Sequence, residues 1–196
     1  MNVHIKEICG NWDKGYVLDK HTVSSVYLGD DENGRPRFDT KRSEVGEALF
    51  KLKYRSDKSQ IEPLASQLAT SIAPRFDKVD LIIPMPASNA RQWQPVSEVA
   101  KELGRSLKVP VFENIVVKAA NDGAGQQLKD MVTKEQKQAA LEGKFTIADG
   151  IANTGKWNAL VLDDLFDTGA SMEAVCASLK TYQKIGKIYV AALTWK

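Results

Sequence analysis

Cysteine and histidine are scarce in this chain, two of each in 196 residues. Cys9 and Cys176 are too few for a four-cysteine zinc site and lie far apart, so reduced thiols are expected and no zinc. Cys176 falls on an apolar helix stripe and reads as core packing. His4 and His21 read as surface residues without a catalytic role. Long apolar runs are missing too: no stretch approaches the roughly 18 residues a membrane helix needs. The opening Met-Asn-Val-His-Ile-Lys-Glu-Ile lacks the basic-then-apolar order of a signal peptide, and a cytoplasmic protein without a membrane span is expected. The formal net charge is only +2, with Lys and Arg scattered, so nothing demands a nucleic-acid surface. There is no internal repeat and no low-complexity tract. What is present is an ordinary 43% hydrophobic content, enough for one compact core with an appended subregion.

Tyr16-Val17-Leu18 and Val23-Ser24-Ser25-Val26-Tyr27-Leu28 flank the polar Asp19-Lys20-His21, which reads as a β-hairpin over 12–28. Asn33-Gly34 and Pro36 make 30–38 a turn-rich loop. Helices are predicted over 43–53 and 61–72, the second with Ile61, Leu64, Ala65, Leu68, Ala69 and Ile72 on one face. A strand over 79–83, a helix over 95–107 with the stripe Val96, Val99, Ala100, Leu103, Leu107, and a strand over 109–117 suggest a right-handed βαβ crossover. Residues 119–131 read as a mobile loop in which Gln126 and Gln127 are candidates for a lid. Thr133-Lys134-Glu135-Gln136 is a capping-box pattern, and strands are predicted over 145–148 and 188–193. The fold class expected is α/β, a mainly parallel sheet flanked by helices in three layers. The division expected is a β-hairpin or hood region over 1–40 and an α/β domain over 41–196, together one compact unit.

Residues 159–171, Ala-Leu-Val-Leu-Asp-Asp-Leu-Phe-Asp-Thr-Gly-Ala-Ser, say most about function. Ala159 to Leu162 suit a strand buried on both faces of a parallel sheet, with Asp163 and Asp164 at its C-terminal edge, where such sheets bind ligands. Met172, Val175, Cys176 and Leu179 then recur at helical spacing, so Asp167 to Ser171 precede a helix N-terminus. That is a site for anions, with a glycine permitting close approach and two hydroxyls donating to phosphate oxygens. Paired carboxylates upstream accept hydrogen bonds from a vicinal diol, or hold hydrated Mg²⁺. Together these features describe a ribose phosphate. An Asp-Thr-Gly box also marks aspartic proteases, but the helical period after Ser171 contradicts that setting. An acidic pair for Mg²⁺ also suits a receiver domain, which gives no reason for Thr, Gly and Ser before the helix.

The run Val161 to Ser171 resembles the 5-phosphoribosyl-1-pyrophosphate signature of type I phosphoribosyltransferases, with Ser where many members have Thr. The resemblance implies that Asp163 and Asp164 hold the ribose hydroxyls and, directly or through water, Mg²⁺. It also implies that Asp167, Thr168, Gly169, Ala170 and Ser171 wrap the 5-phosphate. Residues 79–98 add a strand, the loop Pro84-Met85-Pro86, then Arg91 and Trp93 before a helix, which is similar to the competence-protein ComF family, as are Phe38 to Ser43 and Leu52 to Arg55. Many members carry an N-terminal four-cysteine zinc module that this chain lacks. The usual Arg-x-Gly-Phe-Asn-Gln is here Arg91-Gln92-Trp93-Gln94-Pro95. Ala87, Ser88 and Arg91 are assigned to pyrophosphate, Arg91 because a guanidinium fork matches phosphate oxygens. Lys53 and Arg55 read as helix-end cations.

The expected activity is transfer of ribose 5-phosphate from the Mg²⁺-bound donor to an unidentified nitrogen nucleophile with release of pyrophosphate. Asp163 and Asp164 are then the central catalytic acids, and Asp167 a candidate general base. The alternative is a non-catalytic accessory protein in DNA uptake or nucleic acid metabolism that binds the donor or single-stranded DNA. Nucleic acid enters as a partner by resemblance only.

Overall fold

A run without polar side chains must be covered on both faces, and Ala159 to Leu162 is such a run. The computed structural model, which describes residues 1–87, 93–119, 131 and 133–196, puts it in the interior of a five-stranded sheet. The strands are β1 (Lys6–Glu7), β2 (Lys14–Lys20), β5 (Leu81–Pro84), β8 (Trp157–Phe166) and β9 (Ile185–Trp195), ordered β1-β2-β9-β8-β5. All are parallel except the short edge strand β1. A single parallel bridge from Ile82 to Val111 extends the other edge.

Alternation along β8 and β9 divides the core in two. Ala159, Val161, Ile188, Val190 and Ala192 pack against Met172, Val175, Cys176 and Leu179 of α5 (Ala170–Lys180). Leu160, Leu162, Tyr189, Ala191 and Leu193 pack against α1 (Glu44–Tyr54), α2 (Ile61–Ser71) and α3 (Pro95–Leu107). Burial of each such Leu, Val or Ile side chain contributes about 1.5–3 kcal/mol. The result is the expected three-layer α/β architecture. The predicted helices agree with the observed ones to within a residue, because each combines a stripe with end signals. Ser43 caps α1 by accepting from the Gly46 amide at 3.0 Å, Glu44 and Glu47 lie in its first turn, and Lys51 and Lys53 lie in its last. Helix α1 then crosses the end of β2 so closely that a Cβ at Gly46 would lie 2.1 Å from the His21 carbonyl oxygen.

Two predictions fail in instructive ways. Residues 12–28 are not a hairpin: β2 runs parallel to β9, while Thr22–Asp30 (β3) pairs antiparallel with Pro36–Arg42 (β4) in a separate two-stranded sheet. Val17 and Leu18 are both buried, the mark of a strand covered on both faces, whereas Val26, Tyr27 and Leu28 are each 55% exposed or more. The turn-rich stretch survives as the tip of the β3–β4 hairpin, with Gly34 at φ +70°. The strand expected over 109–117 also splits. Only Val111 reaches β5, and Val116–Lys118 (β6) pairs with Phe145–Ile147 (β7) away from the main sheet. The capping box forms at the start of α4 (Lys134–Leu141), with Thr133 and Gln136 exchanging hydrogen bonds. Gln126 and Gln127, and most of the loop expected over 119–131, lie outside the described residues.

Candidate functional site

Strands β5 and β8 are in register at Pro84 and Leu162, so the loop after one and the acidic stretch of the other emerge side by side. Between them is a cavity of about 430 Å³, whose walls include Met85 to Ala87, Lys53, Lys137 and residues 163–172. It lies at the C-terminal edge of the parallel strands, the binding edge of this architecture.

Strand β8 continues through Phe166, so Asp163 and Asp164 are successive strand residues and point to opposite sides of the sheet. Asp164 continues the row of Leu160 and Leu162, toward α1, where its Oδ2 meets Lys53 Nζ at 2.7 Å. Asp163 continues the row of Ala159 and Val161, and its Oδ1 accepts from the Asp164 amide at 2.7 Å. Burial, reinforced by the neighbouring Asp164 carboxylate, pushes the Asp163 carboxyl up to about 7, against the pull of the Asp164 amide and Lys53.

The stretch after β8 is shaped by Gly169, which has φ +80° and where a Cβ would come within 3.0 Å of the Phe166 ring. Trp12 holds that ring edge-to-face at 6.3 Å between centroids. Helices α1 and α4 have their first turns capped by Ser43 and Thr133, whereas α5, like α2 and α3, begins with no side-chain cap, at Ala170. Its first intrahelical bond runs from the Glu173 amide to the Gly169 carbonyl at 2.9 Å. The Ala170 amide has only a 3.5 Å contact to Thr168 Oγ1. First-turn donors of α5 are therefore offered to the cavity, where the macrodipole also favours an anion. Beside them Lys137 of α4 reaches Asp167, Nζ to Oδ2 at 2.7 Å, and holds that carboxyl below the usual range.

Asp163, Asp164, Asp167, Thr168, Gly169, Ala170, Ser171 and Ala87 thus surround one cavity. Ser88 and Arg91 lie outside the described residues. Trp93 packs on the α1–α3 side of the core, with Lys58 Nζ 5.3 Å from its ring centroid. Two lysines gain importance. Lys53, read as a helix-end cation, is the ion-pair partner of Asp164. Lys137 gave no signal at all, because nothing local distinguishes it within Lys-Glu-Gln-Lys-Gln; its partner is 30 positions away.

His21 departs from its expected surface position. It is half-buried, with Nδ1 3.1 Å from Thr194 Oγ1, and Thr194 Oγ1 in turn donates to the Asp164 carbonyl at 3.0 Å. A hydroxyl has one proton, so Thr194 must accept from His21, which fixes the imidazole with its proton on Nδ1. Burial, then the nearby Arg42 and Lys53 cations, lowers its pKa and so disfavours the charged ring. His21 therefore braces the backbone beneath the acidic pair. Burial also pushes the Cys176 thiol up to about 12, which makes it inert packing.

Among the described residues no group of three or more His, Cys, Asp or Glu side chains is arranged to hold a metal, and no helix is long and apolar enough to cross a membrane. No family model and no curated protein matches the chain, so the likeness to competence proteins rests on its sequence motifs. Solved structures do match. Adenine phosphoribosyltransferase from Trypanosoma brucei, in complex with AMP, pyrophosphate and ribose-5-phosphate, matches at a TM-score of 0.50 and 11% identity, over 100% of this chain and 76% of that one. Adenine phosphoribosyltransferase from Leishmania tarentolae matches at 0.43 and 11%, over 98% and 95%. Leishmania donovani UMP synthase matches at 0.43 and 13%, over 85% of this chain, which spans 27% of that protein. With its parallel sheet, flanking helices and acidic strand end, the chain has the type I phosphoribosyltransferase fold.

Proposed function

We propose that the protein binds 5-phosphoribosyl-1-pyrophosphate and transfers its ribose 5-phosphate to a nitrogen nucleophile. One observation carries the reading: a single cavity is lined by both Asp163 and Asp164 at the strand end and, a few residues on, by a helix N-terminus without a side-chain cap. The first suits a ribose diol, the second a terminal phosphate. In the reaction a C–N bond forms at the anomeric carbon as its C–O bond to pyrophosphate breaks, through an oxocarbenium-like transition state. The protein then needs to orient the ribose, neutralise the departing pyrophosphate and exclude water, without a nucleophilic side chain of its own.

In this reading Asp163 and Asp164 accept from the ribose hydroxyls, Asp167 to Ser171 hold the 5-phosphate, and Ala87, Ser88 and Arg91 face pyrophosphate. Asp163 and Asp164 both line the cavity with oxygen donors only, and a carboxylate oxygen of either, directly or through water, would suit a Mg²⁺ ion that keeps water and donor oxygens as its other ligands. When bound, Mg²⁺ supplies positive charge to the leaving pyrophosphate. Asp167, lowered by Lys137, is a weak candidate for the general base while that pair holds. The test has two stages: calorimetric titration with the donor and Mg²⁺, then phosphorus NMR of the complex challenged with purine, pyrimidine and simple amine acceptors. Saturable binding followed by acceptor-dependent pyrophosphate release is expected. Absence of donor binding overturns the proposal, and binding without release across the panel removes its catalytic half.

A further inference from the structure

Lys137 has no counterpart among the residues assigned above, yet it lines the cavity, is 14% exposed, and places its ammonium 2.7 Å from Asp167, the first residue of the loop that precedes α5. That loop has an electrostatic problem. It is assigned a phosphate carrying close to two negative charges, yet it contributes a carboxylate of its own, 40% exposed beside the incoming ligand. Two like charges at such range repel unless a cation stands between them. Lys137 is the cation in position. Helix α4, which carries it, is held against α5 without it: Leu141 is buried in the same core cluster as Val175 and Leu179, and Gln138 Nε2 donates to Glu173 Oε2 of α5 at 2.7 Å. Because that contact independently ties α4 to α5, the Lys137 ammonium is not required as a pin, and its three donors exceed what one carboxylate oxygen uses.

On this basis we infer that Lys137 is a side-chain ligand of the donor's 5-phosphate, neutralising Asp167 in the free protein and donating to phosphate oxygen in the complex. The inference rests on the proposed donor site and adds a residue to it. A lysine bound to Asp167 is a counter-ion already in place, so the dianion enters a loop whose own charge is cancelled. Its charge-assisted hydrogen bond adds to those made by the loop hydroxyls and the backbone of the uncapped α5 turn.

The experiment compares wild type, Lys137→Gln and Lys137→Arg by calorimetry with two probes, ribose 5-phosphate and magnesium pyrophosphate. Lys137→Gln is expected to weaken ribose 5-phosphate about ten- to a hundredfold. Its affinity for magnesium pyrophosphate should be unchanged, and Lys137→Arg should restore most of the loss. A structural role would move both probes together. Should Lys137→Gln not fold, the wild type still decides: the Lys137 Nζ resonance in ¹⁵N-lysine-labelled protein shifts with ribose 5-phosphate but not with ribose. Equal ribose 5-phosphate affinity in wild type and Lys137→Gln, or an unmoved Nζ resonance in a saturated complex, overturns the Lys137 assignment and leaves the donor site standing. A wild type that binds neither ribose 5-phosphate nor the full donor overturns both.

Discussion

Asp163 and Asp164 are adjacent in sequence and identical in chemistry, yet the sheet gives them opposite surroundings. Asp164 looks toward α1 and finds an ammonium at 2.7 Å. Asp163 looks the other way, finds one backbone N–H and its neighbour's carboxylate, and is driven up to about 7. The difference follows from one fact, that β8 continues past both of them, so pleating alone separates their side chains. One acid is therefore tied to a lysine while the other has its carboxyl pushed upward by burial and by its neighbour's charge, an asymmetry that a loop at this place would not produce.

The comparison breaks most severely at Asp164. Asp164→Asn leaves the Lys53 ammonium, 21% exposed, without its carboxylate, and a loss of about 1–3 kcal/mol is expected in urea unfolding. Asp163→Asn has the reverse sign. A carboxyl whose folded-state pKa is raised contributes stability that is fully present below its ordinary pKa of 3.8 and lost as pH rises through about 7. A neutral Asn keeps the Oδ1 acceptor for the Asp164 amide and escapes that loss. Asp163→Asn should therefore match wild type near pH 3.5, gain on it through pH 7, and melt a few degrees higher at pH 8 by calorimetric scan. A lower melting point at pH 8 would show that Asp163 is not desolvated.

The same asymmetry has a ligand-binding signature. Mg²⁺ binds the carboxylate form, so Mg²⁺-dependent donor affinity should rise with pH in wild type and rise less steeply in Asp163→Asn, where only the donor's phosphates titrate. Titrations at four pH values suffice to separate the two curves. The smallest effect expected is at the brace beneath the pair. His21→Ala removes one hydrogen bond to Thr194 and should cost about 0.5–1.5 kcal/mol in chemical denaturation, with donor affinity little changed.

How much of this was readable beforehand depends on the range of the interaction. Helices α1, α2 and α3 were legible to within a residue because stripes and caps are local. The cavity wall from Asp163 to Ser171 was legible because an apolar strand, an acidic pair, a glycine and a helical stripe stand consecutively. The partner of β2 was not, since it is β9, 175 positions away, and an apolar segment near a plausible turn mimics half a hairpin. Lys137 and the His21 brace were hidden for the same reason: an ordinary lysine and an ordinary histidine acquire roles only through residues far along the chain. The opposite orientation of the two acids was latent in Leu165-Phe166, whose apolar character extends the strand beyond them.

The central claim is that this strand end and the turn that follows it form one donor site. Its most direct test is calorimetry of the Mg²⁺–5-phosphoribosyl-1-pyrophosphate complex with wild type and Asp163→Asn/Asp164→Asn. The account predicts saturable binding by wild type and a loss of at least about a hundredfold in the double variant, the worth of two charge-assisted contacts. Unchanged affinity in a folded double variant would contradict it.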